Sequence, residues 1–465
     1  MNTKRKPLFK RGYERLELPD KNVEVTLDSQ QEEAVRTKSE MALVVAGAGS
    51  GKTRVLTERV KYLLNEEDVP ASNIIAITFT NMAAEEMKER LSSVENIGDV
   101  FVGTIHSFAN KVMRLQSDKN YRIYCDEIDN AFHRELISKY CKSLTFERYL
   151  EYKDTHNLVD MGRLPETALQ ELLLPSEQAE LDLIERGENE IEAEAQLLGG
   201  IDKVQYPESV KSLCRKRNVI TFDKLLRMAT SYFKSINAQI GHVLVDELQD
   251  VGNLEFSFIE SLGADNYFLV GDDWQSIYGF KGGNVNIFLK LVEDGMFNVF
   301  YLTNNYRNST QVLEMSQNII SQVSKKIDKV ITPVYNSEGH VSVMSKNKLP
   351  EVLGIIRHSK DFKDWFILCR TNKELFELAD KCQEYEVPFT TFKREGMTLF
   401  ELRQKMNQNR VKILTVHVSK GLEAKNVVLY GQFPVVCPNY RKDEEERKVM
   451  YVGVTRAIDN LYILN

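Results

Sequence analysis

The chain has 465 residues, enough for two or three domains of ordinary size, and its 42% hydrophobic and 28% charged residues are typical of a globular protein. No apolar run approaches the roughly 20 residues that span a bilayer, and the six scattered cysteines form no Cys-x-x-Cys pair, which argues against a zinc or iron–sulfur site. We therefore expect a reducing, cytoplasmic setting and no membrane partner. The net charge of −7 leaves nucleic-acid binding open, because a local basic groove can coexist with an acidic exterior.

The predicted elements begin after a polar, basic lead-in over residues 1–25. Short β-rich runs then alternate with helical patterns, which predicts a parallel sheet with crossover helices. The predicted strands of this first section are 43–45, 74–79, 100–102, 242–245 and 267–270, and its first helices are 53–64 and 83–91.

Residues 121–210 differ from the sequence on either side. They are rich in Leu and Glu and contain no convincing strand, which predicts a helical insertion. A second section of alternating strands and helices follows, with strands predicted at 299–302, 366–370, 411–416, 427–429 and 461–464. The fold class is therefore α/β, with a first domain over 26–120 and 211–298, the helical insertion at 121–210 and a second domain over 299–465.

A glycine-rich stretch joins the first predicted strand to the first helix. Glycines let backbone N–H groups converge on a polyphosphate without a Cβ in the way, and the helix N-terminus adds a positive end. Lys52 would reach the β- and γ-phosphates, and the Thr53 hydroxyl would hold Mg²⁺. An alanine stands where the strict pattern has its first glycine. The predicted phosphate loop consists of Ala46, Gly47, Ala48, Gly49, Ser50, Gly51, Lys52 and Thr53.

Two carboxylates follow the apolar strand at 242–245, at the strand end where ligands bind in open α/β sheets. Asp246 fits a Mg²⁺ ligand, and Glu247 fits a base that orients and deprotonates the attacking water. A neutral Gln275 beyond the next strand could contact both the γ-phosphate and that water. Arg307 and Arg456 lie in loops of the second section and could stabilise charge on the γ-phosphate oxygens.

Taken in order, these stretches resemble a superfamily 1 helicase of the UvrD/Rep/PcrA type. The similarity runs from about residue 27 to the C-terminus, and the Gly-Asp-Asp-Trp-Gln variant at 271–275 is similar to that of helicase IV. The matching stretches are 27–31, 46–53, 77–87, 103–108, 246–250, 271–278, 305–307, 415–423 and 445–457.

The resemblance implies two RecA-like parallel-sheet P-loop domains, the insertion at 121–210 corresponding to the family's 1B subdomain. It also implies that ATP and Mg²⁺ are the cofactors. Gln31 would read the adenine edge, while Arg54 and Tyr306 would pack against its two faces. Glu423 would bind the ribose, and Arg307 and Arg456 would contact the γ-phosphate.

The resemblance further implies a set of contacts to single-stranded nucleic acid, and base stacking on aromatic side chains is tolerant of sequence. Core packing is the alternative role for Phe79, as buried structural histidines are for His106 and His417. At 280 and 281, Phe and Lys stand where Trp and Arg are usual, so stacking is kept while bidentate recognition is lost. The implied contact residues are Phe79, Thr80, Asn81, Thr104, His106, Phe280 and His417.

The largest departure from the family is that only residues 373–414 separate two motifs between which full-size relatives carry the 2B subdomain. The resemblance implies an ATP-dependent helicase or translocase that moves 3′→5′ on single-stranded DNA and acts at single-strand/duplex junctions. An alternative is an ATPase subunit that regulates a partner nuclease, repair or anti-phage complex and unwinds little by itself. A small-molecule kinase or a GTPase explains neither the paired arginines nor Gln31, and no residue excludes RNA as the track.

Overall fold

The structure is a computed structural model that describes residues 26–92, 94, 97–116, 122–123, 218–236, 240–279, 282–335, 337–392, 399–431 and 444–465. Three predictions lie outside these residues: the basic lead-in at 1–25, Phe280, and the helical character of the insertion at 121–210, of which only 122–123 are described.

Six parallel strands form the first sheet, in the order β3-β2-β6-β7-β1-β8. The central strands are runs of Val, Ile, Leu and Ala because both faces of a parallel sheet are covered. The strands are β1 Met41–Ala46, β2 Ile74–Thr78, β3 Phe101–Thr104, β6 His242–Val245, β7 Asn266–Gly271 and β8 Asn298–Leu302.

A second six-stranded parallel sheet has the order β11-β16-β15-β12-β14-β13. Its strands are β11 His340–Met344, β12 Trp365–Cys369, β13 Phe389–Thr391, β14 Val411–Thr415, β15 Ala424–Tyr430 and β16 Ala457–Leu464. Two short parallel pairs complete the strands: β4 Arg122–Ile123 with β5 Val219–Ile220, and β9 Asn304–Asn305 with β10 Thr332–Pro333.

Helices alternate with these strands, as the parallel pairing requires. They are α1 Ser29–Val35, α2 Lys52–Asn65, α3 Asn81–Leu91, α4 Ile105–Gln116, α5 Phe222–Ser235, α6 Asn253–Ser261, α7 Val285–Glu293, α8 Thr310–Ile320, α9 Leu349–Arg357, α10 Asn372–Glu384, α11 Leu399–Asn407 and α12 Glu444–Val454. Among the helices that the structure describes, none combines the length and the apolar character that crossing a bilayer requires.

The predicted α/β class with parallel sheets is confirmed, but one predicted boundary is wrong. The strand expected to open the second domain, β8, pairs in parallel with β1 from Ala42↔Asn298 to Ala46↔Leu302 and so belongs to the first sheet. Periodicity locates a strand but does not tell which sheet it joins. The first sheet therefore extends to Leu302, beyond the predicted end at residue 298.

A continuous apolar core packs the second sheet against the loops that follow β1 and β7 of the first sheet. We call each sheet with its flanking helices a unit, the first ending at Leu302. The core contains Ala48 and Ile277 from the first unit and packs them with Leu414, Val416 and Tyr451 from the second. Because this core lies at the carboxyl ends of β1 and β7, side chains from both units converge there. This convergence positions the candidate site.

Candidate nucleotide site and nucleic-acid surface

The loop after β1 has the backbone that a phosphate cradle requires. Gly49 and Gly51 have φ values of +68° and +85°, which side chains other than glycine rarely adopt. A Cβ on Gly49 would lie 2.7 Å from the Arg307 Cβ. Ala46, at the position of the missing glycine, is the last residue of β1 and keeps the strand conformation, so a Cβ is compatible there.

Lys52 and Thr53 begin α2 directly after Gly51. The Lys52 Nζ lies 3.7 Å from Asp272 Oδ2, and the Thr53 Oγ1 lies 3.5 Å from Asp246 Oδ2. The hydroxyl and the carboxylate are hard oxygen ligands of the kind Mg²⁺ takes, so these residues fit the ion. Within the described ranges no group of three His, Cys, Asp or Glu side chains could hold a metal. Phosphate oxygens and water would complete the coordination, as is usual for Mg²⁺.

The two carboxylates after β6 have pKa values shifted in opposite directions. Burial, together with the neighbouring Glu247 charge, raises the pKa of Asp246 to about 7. Burial also opposes ionisation of Glu247, but Lys420 and Lys52 outweigh it and hold the Glu247 pKa below its usual value. Glu247 has a left-handed backbone with φ +53°, which is uncommon outside glycine. An ionised carboxylate in this position can accept a proton from water.

Lys420 is a component of the site to which the sequence analysis assigned no role. Its Nζ contacts the Asp250 carboxylate, lies 3.8 Å from Glu247 Oε2 and donates to the Gln275 carbonyl at 3.0 Å. The side chain is almost fully buried. Lys420 follows β14 in the second unit, so it carries a positive charge from that unit to the carboxylates of the first.

Gln275 connects the two units through its amide. The Nε2 donates to Asp272 Oδ2 at 2.6 Å, and the Oε1 accepts from Arg456 Nη2 at 3.1 Å. Arg456 is 1% exposed, and its guanidinium also donates to the carbonyls of Val452 and Leu422. Burial, together with the nearby Arg307 charge, lowers the pKa of Arg456 to about 9.

Arg307 lies against the phosphate loop and points to the second unit. The preceding Tyr306 N–H donates to the Gly49 carbonyl at 3.0 Å. The Arg307 Nε donates to Glu423 at 2.5 Å, and its Nη1 lies 3.5 Å from the Thr455 carbonyl. Glu423, for which the resemblance implies a ribose contact, is thus paired with Arg307 in this structure, and its ribose role stays a prediction.

Two of the residues implied in base binding, Gln31 and Arg54, lie beside Gly51 of the loop. Gln31 is 2% exposed, donates to the Ser50 carbonyl at 3.0 Å and forms a capping box with Asp28 at the start of α1. The Tyr306 hydroxyl contacts the Asp28 carboxylate; burial, followed by this bond, raises the pKa of Tyr306 to about 12. Arg54 lies half-buried in the first turn of α2. The adenine contacts implied for these side chains stay predictions.

Three of the side chains near the strand ends form an aromatic row. The Phe79 ring stacks on Tyr278 with centroids 5.3 Å apart, and Tyr278 lies 5.9 Å from the His417 ring. The Tyr278 hydroxyl donates to the His417 carbonyl at 3.1 Å. Tyr278 therefore joins Phe79 of the first unit to His417 of the second. Both implied contact residues flank a tyrosine that the sequence analysis gave no role.

The remaining implied contacts lie at helix starts of the first unit. Thr80 caps α3 through the Ala83 N–H, and Asn81 is exposed as its first residue. Thr104 ends β3, and His106 lies in the first turn of α4 with its ring 4.6 Å from that of Phe222. Burial lowers the pKa of His106, although Asp223 opposes the shift. Phe280 lies outside the described residues.

Comparison with known proteins gives two family matches. Residues 27–295 match the family described as UvrD/REP helicase N-terminal domain, and residues 393–465 match the UvrD-like helicase C-terminal domain. The first match alone covers more than half of the chain and includes the phosphate loop, Asp246, Glu247 and Gln275. The second includes Arg456.

Individual relatives agree. A probable DNA helicase of Mycoplasma pneumoniae is 26% identical over 473 residues, covering 94% of this chain and 83% of that protein. The ATP-dependent DNA helicase PcrA of Staphylococcus aureus is 28% identical over 396 residues, and that of Staphylococcus epidermidis is 28% identical over 391 residues. Each match to PcrA covers 78% of this chain and 50% of the PcrA protein, so the chain spans about half the length of these relatives.

The family match covers the same phosphate loop, acidic strand end and Gln275 that the structure gathers between its two parallel sheets, and the resemblance found in the sequence is confirmed: the chain belongs to the UvrD/Rep helicase family.

Proposed function

We propose that the chain is an ATP-dependent DNA helicase or translocase that moves 3′→5′ along single-stranded DNA. One observation carries the proposal. The Arg456 guanidinium of the second unit donates to Gln275, which lies beside the phosphate loop of the first unit, at 3.1 Å. One nucleotide bound at the loop would therefore contact both units. A nucleotide shared in this way couples hydrolysis to the relative movement of the two units.

The residues around the loop suit phosphoryl transfer to water. The loop N–H groups and Lys52 would bind the phosphates, and the ionised Glu247 carboxylate would orient the attacking water and take its proton. Arg307 and Arg456 would stabilise charge on the γ-phosphate oxygens as it develops. Mg²⁺, held by Thr53 and Asp246, would supply neutralisation of phosphate charge.

The aromatic row supports the DNA part of the proposal. Bases can stack on exposed faces of such rings without regard to sequence. Tyr278 follows the Gln275 segment directly, and its ring lies 5.2 Å from the Lys420 Nζ, so the row is in contact with the nucleotide site. Movement at Gln275 or Lys420 can therefore change the spacing of Phe79 and His417.

The DNA track, the 3′→5′ direction and activity at single-strand/duplex junctions rest on family membership and on the helicase names of the relatives. A cytoplasmic site of action fits the free, buried thiols of Cys369 and Cys382 in the described part of the chain.

The test is ATP hydrolysis with and without single-stranded DNA, followed by strand displacement on duplexes with 3′ or 5′ tails. We expect DNA to stimulate hydrolysis and a 3′ tail to support displacement. Lys52→Ala should abolish turnover, while Glu247→Gln should bind ATP and fail to hydrolyse it. Hydrolysis that DNA does not stimulate would overturn the proposal. RNA oligonucleotides of the same length serve as the test of the track.

A second candidate is an ATPase subunit that regulates a partner nuclease or repair complex. Between β12 and β14 the described residues hold only α10, β13 and α11, a region in which full-size relatives carry a large subdomain. This candidate would be favoured if DNA stimulates ATP hydrolysis strongly but the isolated chain displaces no strand from either tailed duplex. Addition of a co-purifying nuclease should then enable strand displacement. Displacement by the isolated chain would exclude it.

A further inference from the structure

A short segment between α8 and β10, residues 327–331, lies against both halves of the phosphate site. The Ile327 N–H donates to Asp273 Oδ2 at 2.7 Å, and the Ile327 carbonyl accepts from Trp274 Nε1 at 3.0 Å. At its other end Ile331 packs on the phosphate loop, where a Cβ on Gly47 would lie 2.4 Å from the Ile331 Cδ1. We call residues 327–331 the bridging segment. None of the motifs that carry the family resemblance includes it.

Lys329 places its ammonium in the centre of this contact. The side chain is 0% exposed, and its Nζ lies 2.8 Å from Asp272 Oδ1 and 2.8 Å from Asp273 Oδ1. The same Nζ lies 4.6 Å from the centroid of the Trp274 ring. Burying a lysine is costly unless it is paired and hydrogen-bonded, and Lys329 meets both conditions.

The Asp272 carboxylate contacts two lysines and Gln275. Its Oδ1 faces Lys329, while its Oδ2 accepts from Gln275 Nε2 at 2.6 Å and lies 3.7 Å from the Lys52 Nζ. Burial opposes ionisation of Asp272, and Lys329 and Lys52 outweigh it, so its pKa lies below the usual value. Lys329 forms the closer contact of the two lysines.

The Lys329 Nζ lies 2.8 Å from the Asp272 carboxylate and the Lys52 Nζ lies 3.7 Å from it, and this difference affects how easily Lys52 can move. With Lys329 present, Asp272 keeps a close cation that it shares with Asp273, and Lys52 can leave for a phosphate at a smaller electrostatic cost. Without Lys329, a buried carboxylate would have Lys52 as its nearest described cation, and the pair would resist separation. The Gln275 amide would also lose the fixed acceptor that turns its oxygen towards Arg456.

We propose that Lys329 is a positioning residue of the phosphate site: it pairs with Asp272, keeps Lys52 available to ATP and orients Gln275 towards Arg456. The expected change in kcat rests on the proposed function. The expected change in nucleotide affinity requires only that the chain binds a nucleotide.

The experiment compares Lys329→Met with two matched variants. Asp273→Asn removes the other carboxylate that Lys329 contacts without touching Gln275 or Lys52. Lys326→Met removes a neighbouring lysine whose partner, Asp328, is 91% exposed. Affinity for a fluorescent ATP analogue without DNA, kcat and KM with single-stranded DNA, and thermal unfolding are measured for each.

We expect Lys329→Met to weaken nucleotide binding at least about tenfold, the scale of one lost charge-assisted contact, and to lower kcat as well. Asp273→Asn should lower the unfolding temperature while changing nucleotide affinity less than about threefold, and Lys326→Met should match the wild type. In Lys329→Met/Asp272→Asn, the nucleotide affinity should recover because Lys52 is released, while kcat stays low because a neutral amide holds Gln275 less firmly.

If Lys329→Met does not fold, Asp272→Asn alone carries the test. It should bind nucleotide at least as tightly as the wild type and hydrolyse it more slowly, a separation that general destabilisation does not produce. The proposal is overturned if Lys329→Met binds and hydrolyses like the wild type, or if the Asp272→Asn change fails to restore affinity in the double variant. Absence of ATPase activity in the wild type would instead count against the proposed function, and the affinities would still report on Lys329.

Discussion

Arg456 Nη2 donates to Gln275 Oε1 across the junction of the two units, at 3.1 Å. The other donors of this guanidinium are fixed to the Val452 and Leu422 carbonyls and the Thr455 hydroxyl. Arg456 is therefore rigidly attached to the second unit, while Gln275 is attached to the first through Asp272. A change in the position of one unit must move the arginine relative to the phosphate loop.

This attachment predicts the effect of Arg456→Gln on catalysis. Because an arginine that stabilises the transferring phosphoryl group contributes about 10³ to 10⁵ in rate, we expect kcat to fall by about 10³ with a smaller change in KM for ATP. Steady-state ATP hydrolysis with single-stranded DNA measures both. Arg357→Gln, which breaks an exposed ion pair with Glu386, is the control and should keep full activity. Unchanged kcat in the Arg456 variant would remove this residue from the site.

A second prediction concerns the phosphate loop. Gly49→Ala places a Cβ at φ +68° and 2.7 Å from the Arg307 Cβ, so the loop must shift at the point where it would meet phosphate. We expect ATP affinity to fall more than about tenfold, a loss of at least about 1.4 kcal/mol of binding free energy. Gly354→Ala in α9 is the control, since nothing lies within 4 Å of its added Cβ. Equal affinities of the two variants in a nucleotide titration would contradict the assigned role of the loop.

The aromatic row gives a third prediction. Phe79→Ala removes a ring that stacks on Tyr278, and we expect the affinity for single-stranded DNA to fall by about 1 to 3 kcal/mol, as for loss of one stacked base. Hydrolysis without DNA should change little. Fluorescence anisotropy with a labelled oligonucleotide measures the affinity, and Phe376→Ala, a half-exposed aromatic of α10, serves for comparison. If Phe79→Ala binds DNA normally, Phe79 is a core residue only.

The fourth prediction follows from the ionisation of Asp250. Burial raises its pKa to about 7 from an ordinary 3.8, against the opposing effect of Lys420. From roughly pH 4 to pH 7 the folded chain therefore holds a proton that the unfolded chain has released, and this residue lowers the free energy of unfolding as the pH rises. Asp250→Asn should match the wild type near pH 4, below which the carboxyl is protonated in both states, and be more stable at pH 8.

Urea unfolding at the two pH values measures this difference. Asp328→Asn is the control because Asp328 is 91% exposed, and it should show no pH-dependent change relative to the wild type. An Asp250→Asn variant that is less stable than the wild type at pH 8 would show that the ion pair with Lys420 outweighs burial.

Much of the fold follows from local sequence. Buried parallel strands are short apolar runs, and the prediction at 242–245 matches β6 at both ends. β11 was not predicted because this sheet-edge strand has no fully buried residue and so lacks a continuous apolar run. β13 has three residues, too few for a period to be visible. The sheet that β8 joins depends on pairing with β1, which lies far away in sequence.

Site residues could be predicted from the sequence where they belong to a recognisable motif. They could not be predicted where their role depends on being buried by distant parts of the chain. Lys329 and Lys420 are lysines, which are almost always exposed, and their sequence neighbours give no sign that they are buried. Only tertiary contacts with Asp272, Asp273 and Asp250 show it. Tyr278, like Lys420, lies within one of the motif stretches, but its position between Phe79 and His417 depends on both sheets.

The central claim is that one ATP molecule is held by residues of both units. A crystal structure with Mg²⁺, a non-hydrolysable ATP analogue and single-stranded DNA tests it most directly. We predict that the guanidinium groups of Arg307 and Arg456 both lie within about 3 Å of γ-phosphate oxygens, the hydrogen-bond distance, with Lys52 on the same phosphate. An occupied phosphate loop with both arginines facing away from the γ-phosphate would contradict the claim.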